Sequence, residues 1–107
     1  MYLKNKMKGI DEKMKENYNG WSNWETWNFM LWYGDSLFDL VDEQKDEMEH
    51  LNHDEFYRWV YDIVSSFTEG IKNAYETIPA GFISDVISHS FTKINIIEIV
   101  DDIIENL

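Results

Sequence analysis

The chain contains no cysteine. That excludes a disulfide, a thiolate nucleophile and a zinc–thiolate cluster, and it suits a reducing cytosol. It has one proline, Pro79, and five glycines, so no Pro/Gly-rich linker or low-complexity segment divides it. No apolar run approaches the roughly 20 residues that a membrane-spanning helix needs. The first twenty residues also lack the apolar centre of a signal peptide. Positive charge is scarce: nine Lys and Arg stand against 21 Asp and Glu, for a formal net charge of −12. Phosphate contacts require Lys and Arg, so this balance argues against direct binding to nucleic acid or to an anionic membrane. The absences together predict a soluble cytoplasmic protein whose charged partners are basic proteins. At 107 residues it is the size of one domain.

The scarcity is uneven. Residues 1–20 carry a net +2, whereas residues 21–107 hold only Lys45, Arg58, Lys72 and Lys93 and carry −14. Residues 1–18 show scattered Met among Lys with no sustained apolar stripe, which predicts a basic, frayed arm or weak helix. Residues 19–107 are expected to form an acidic helical domain.

Aromatic residues are plentiful, and four of the five tryptophans fall between Trp21 and Trp32. Ser22 and Glu25 have the spacing of a capping box, which predicts a helix running to about Tyr33. Trp24, Trp27, Phe29, Met30, Leu31, Trp32 and Tyr33 would then point nearly all round its axis, as on a helix enclosed by protein. Trp24 and Trp27 are accordingly expected to be buried; the alternative is an exposed aromatic binding platform. Gly34-Asp35-Ser36 predicts a break. A second helix is expected from Leu37 to Leu51, with Leu37, Val41, Met48 and Leu51 on a narrow stripe.

Asn52 and Glu55 form a second capping-box pattern, opening a helix with Phe56, Val60, Ile63, Val64, Phe67 and Ile71 on one face and ending near Tyr75. Pro79 suits the first turn of another helix, which carries Phe82, Ile83, Val86, Ile87 and Phe91. Asn95 and Glu98 give a third cap. The last helix turns Ile96, Ile97, Val100, Ile103, Ile104 and Leu107 inward and Glu98, Asp101, Asp102 and Glu105 outward. Period 3.6 persists and no strand-like alternation competes with it. The expected fold is a single all-α bundle of four to five helices around the Trp-rich one.

The stretch "NGWSNWETWNFMLW" resembles the W-x-N-x-E-T-W-x-x-x-L-W signature of a family of small proteins of unknown function from bacteriophages and other mobile elements. Trp21, Asn23, Glu25, Thr26, Trp27 and Trp32 match it together. The later "PAGFISDVISHSFTKINIIEIVDDII" is similar to that family's second block, through Gly81, Asp85, Val86, Ile87, Phe91, Ile94, Glu98 and Ile99. There Val100 stands where the family has a small residue. The resemblance spans roughly residues 19–107. It implies a phage or mobile-element origin and an all-helical domain, with no activity attached. Trp21, Ser22, Asn23, Trp24, Glu25, Trp27 and Trp32 are read as structural residues on this basis and on their capping pattern.

Catalytic patterns are missing. The sequence has no G-x-x-x-x-G-K, G-x-G-x-x-G or H-E-x-x-H. His50 and His53, with Glu49 and Asp54, have a spacing that could bring two imidazoles to one ion, but a third ligand would have to come from elsewhere; the plainer reading is solvated histidines at a turn. His89 lies between two serines without an evident acid partner. The expectation is a protein that is not an enzyme and uses no metal or cofactor.

Asp35, Asp39, Asp42, Glu43, Asp46, Glu47 and Glu49 remain as candidate partner-binding residues. Residues 35–55 carry a net −8 with Lys45 as their one cation. A row of carboxylates at i and i+4 repeats about every 6 Å along a helix, too sparse beside the ~3.4 Å phosphate rise of a DNA strand. Two adjacent rows would come closer. This points to an inhibitor that binds a host defence nuclease, of anti-CRISPR or anti-restriction type, through an acidic DNA-mimicking face. The alternative is an accessory or structural phage protein, homo-oligomeric or not, whose acidity serves solubility.

Overall fold

The computed structural model describes residues 18–107, and among them every regular element is helical. The expected basic arm lies almost wholly outside the described residues. The elements are α1 (Trp24–Asp42), a short 3-10 turn (Lys45–Met48), α2 (His53–Tyr75), α3 (Phe82–Lys93) and α4 (Ile96–Asn106). The all-α bundle expected from the sequence is the fold observed.

α1 does not break at Gly34. Its buried stripe is Thr26, Met30, Gly34, Leu37 and Val41, at offsets of four, four, three and four. The stripe therefore runs straight through the glycine. A mid-helix glycine costs about 1 kcal/mol relative to alanine, which the burial of Met30, Leu37 and Val41 outweighs at roughly 1.5–3 kcal/mol each. The expected Leu37–Leu51 helix is therefore divided. Its first part belongs to α1, which stops at Asp42 as the stripe reaches Gln44 and Lys45. The chain then makes the 3-10 turn, where Met48 and Leu51 are only half-buried.

α2 opens on the expected reciprocal cap. Asn52 Oδ1 accepts from the Glu55 N–H at 2.9 Å, and Glu55 Oε1 accepts from the Asn52 N–H at 3.0 Å. Its Val60 and Val64 meet Met30, Leu37 and Val41 of α1 and Ile99, Val100 and Ile103 of α4 in one core. α4 packs chiefly along α2. Asp102, expected outward, is buried at 1 % exposure, while Ile97, expected inward, is 49 % exposed. The inner face of α4 is centred on Ile99 and Ile103, and Asp102 adjoins both on the helix surface.

Among the four α-helices, α3 alone has no fully buried residue. It begins after Gly81, whose φ of 152° is a conformation that side-chain-bearing residues rarely adopt. Pro79 thus precedes the helix instead of forming its first turn. Ile87 and Phe91 face the body, but Phe82, Ile83 and Val86 are 80 %, 57 % and 47 % exposed.

Candidate functional site

The Trp-rich segment serves two ends. A turn with left-handed Asn19 (φ 51°) and Gly20 (φ 94°) delivers Trp21 into the core, where it is 2 % exposed. Trp27 packs partly buried against the same core. Trp24 is 48 % exposed and Trp32 74 %, so the expectation that Trp24 is buried is corrected. The reason is geometric: α1 packs on α2 and α3, and a helix with apolar residues on all sides has more apolar surface than these neighbours cover.

Ser22 is not the N-cap of α1. Asn23, with extended backbone, holds that place, and its Oδ1 accepts from the Thr26 N–H at 2.8 Å. The Ser22 N–H and Oγ instead both donate to Glu98 Oε1, at 3.0 Å each. Glu98 is thereby drawn away from completing a capping box with Asn95. Only the Asn95 half of that box is made, through its Oδ1 to the Glu98 N–H at 3.1 Å. Asn23 Nδ2 donates to the Lys93 carbonyl at 2.8 Å, and the buried Thr26 Oγ1 accepts from the Asn95 N–H at 2.9 Å. Ser22, Asn23 and Thr26 therefore tie the start of α1 to the α3–α4 junction. Sequence reasoning found their capping spacing but not this long-range role.

That tie sets α3 antiparallel beside α1 and leaves a groove of about 520 Å³ between them. One wall is Trp24, Asn28 and Trp32 of α1; the other is Val86 and Ser90 of α3 with Ile94 just beyond its end. Phe29 and Phe91 form the floor, their rings edge to face at 6.5 Å. Ile71 and Tyr75 of α2 close one side. Glu25, assigned to a cap by the sequence reading, is the one acid lining it.

Beside the floor the Tyr33 and Tyr75 hydroxyls stand 3.4 Å apart. The hydrogen bond to Tyr75 and then partial burial hold the Tyr33 phenol above its usual value near 10. The folded state therefore keeps this proton more tightly than the unfolded state. Its contribution is complete below about pH 10 and is lost as pH rises through the raised folded value. Thermal melts between neutral and strongly alkaline pH should show the Tyr33→Phe variant losing less stability over that window than the native chain. Parallel curves would assign the alkaline loss to other groups.

The acids occupy the rest of α1 and the turn after it. Asp35, Asp39, Glu43, Asp46, Glu47 and Glu49 are exposed, and Asp42 pairs with Lys45 at 2.9 Å. Because α1 ends at Asp42, the acids do not make two parallel rows on one helix. They form a band that follows α1 and then bends. His50 and His53 are both exposed. Among the described residues no three His, Asp or Glu side chains are grouped to hold a metal ion, and no helix is long and apolar enough to cross a membrane.

Fold and surface together define a helical bundle with an open aromatic groove and an acidic flank. The chain belongs to a family of unknown function, DUF7249, whose model matches residues 14–107. No curated protein and no solved structure matches it.

Proposed function

We propose that this chain is a non-catalytic inhibitor, carried by a phage or other mobile element, that binds a basic host protein in the cytoplasm. A defence nuclease of anti-CRISPR or anti-restriction type is the partner that fits best. The observation carrying this reading is the exposed band from Asp35 to Glu49, whose one cation, Lys45, is engaged by Asp42. An ordinary surface intersperses both signs, and uncompensated charge of this size costs stability through self-repulsion. Nucleic-acid channels of such nucleases are rich in Lys and Arg and read backbone charge. A folded polyanion competes for them with little ordering cost.

The test is inhibition of DNA cleavage across a panel of restriction and CRISPR nucleases. The native chain is compared with a variant carrying Asp39→Asn, Asp46→Asn, Glu47→Gln and Glu49→Gln, which leaves the Asp42–Lys45 pair intact. The native chain should inhibit at least one nuclease, and added DNA should relieve the inhibition. The variant should stay folded and associate about tenfold more slowly at low salt, the difference shrinking as salt rises. Any single substitution should be nearly silent, because an exposed pair contributes only about 0–1 kcal/mol. Equal inhibition by variant and native chain at both ionic strengths would remove the acidic band from the mechanism.

A further inference from the structure

The continuity of α1 places the groove and part of the acidic band on one line. At about 100° per residue, a step of seven returns to within about 20° of the starting direction. Glu25, Trp32 and Asp39 are spaced by seven, and Glu43 at the helix end falls within about 20° of Trp32 as well. Had the helix broken at Gly34, these positions would not share a face. As it stands, the aromatic wall of the groove passes directly into carboxylates along a single rigid element.

We infer that this face of α1, with the opposing wall of α3, is a docking site for an amphipathic helix of a partner protein, one with an apolar stripe and Lys or Arg continuing that stripe at one end. The inference rests on the reading of the chain as a binder of a basic protein and specifies how the partner is held. The groove runs from Trp24 to Trp32, about 12 Å of helix rise, which matches anchors at i, i+3/i+4 and i+7 of a bound helix. Its mouth is apolar and exposed, at 48 % for Trp24, 74 % for Trp32 and 47 % for Val86. The basic end of the partner would reach Asp39 and Glu43. A second copy of this chain fits poorly, because its residues 21–107 carry a net −14 and would bring like charge to Asp39 and Glu43. Nucleic acid and anionic lipid meet the same carboxylates.

Three synthetic peptides of about four turns test this by calorimetry and tryptophan fluorescence: an amphipathic Leu/Lys helix, a scramble of the same composition without the stripe, and a Leu/Glu analogue. The amphipathic Leu/Lys peptide should bind the native chain about tenfold or more tighter than its scramble, and the Leu/Glu peptide should not bind. Trp32→Ala and, from the other wall, Val86→Ser should each weaken the amphipathic peptide by about tenfold with unchanged melting temperature. Asp39→Asn with Glu43→Gln should weaken both Lys peptides. Equal affinity for the amphipathic peptide and its scramble, or binding indifferent to Trp32→Ala and Val86→Ser, would overturn the groove while leaving the acidic-band reading in place. Loss of inhibition in the fourfold acid variant would still support that reading separately. A native dimer that Trp32→Ala dissociates would also overturn the inference, assigning the groove to a second copy.

Discussion

Replacing Trp21 by alanine should remove a large part of this protein's folding stability, more than any other substitution considered. The side chain is 2 % exposed within the core that joins α1, α2 and α4. Truncating a buried tryptophan removes its transfer energy and leaves a cavity, a cost of about 3–5 kcal/mol. Domains of this size have only about 5–15 kcal/mol in hand. Trp24→Ala and Trp32→Ala are the contrast within the same twelve residues. Trp32 is mostly solvated, and its removal should change stability by no more than about 0.5 kcal/mol; Trp24, half-exposed, should fall between the two. Urea denaturation of the three variants orders them. A Trp32→Ala loss as large as that of Trp21→Ala would mean that the groove wall is part of the core.

Asn23→Ala should be the second most damaging of the changes considered, at about 1.5–3 kcal/mol. The side chain does two jobs that alanine cannot. Its oxygen caps α1 on the Thr26 N–H, worth about 0.5–2 kcal/mol. Its amide nitrogen donates to the Lys93 carbonyl, worth about 1 kcal/mol. Asn23→Asp separates the jobs, since aspartate keeps the capping oxygen but has no donor and sets a charge against a carbonyl. Aspartate should therefore recover part of the loss and not all of it. If Asn23→Asp melts like the native chain, the Lys93 contact contributes nothing and the asparagine is only a cap. Because that contact holds the α3–α4 junction to the start of α1, Asn23→Ala should also loosen the groove, seen as greater amide exchange along α3 than along α2.

How much of the site could be read in advance varies residue by residue. The Asn52–Glu55 cap is legible because both partners lie within one turn and nothing distant competes for them. The Ser22–Glu25 and Asn95–Glu98 patterns have the same spacing, yet Glu98 is taken by Ser22 across 76 residues of chain. Spacing cannot disclose such a competitor. Trp24 and Trp27 are expected inside because the helix is apolar all round, yet only Trp27 packs against the core, since how much of a helix is covered depends on its neighbours. Asp102 was expected outside because it is charged; its place on the α4 surface beside Ile99 and Ile103 buries it.

The sequence by itself determined the helical class, the start of α2, the last helix and the strongly acidic body, because local periodicity, local caps and charge counts depend only on near neighbours along the chain. Tertiary structure alone decided three further matters. The buried stripe of α1 packs against its neighbours through Gly34, so one long helix forms where two were expected. The Ser22, Asn23 and Thr26 bonds set α3 alongside α1, which opens the groove and fixes which tryptophans line it. Helix continuity then aligns Trp32 with Asp39, a relation that exists only once packing has made residues on both sides of a glycine part of the same rigid rod.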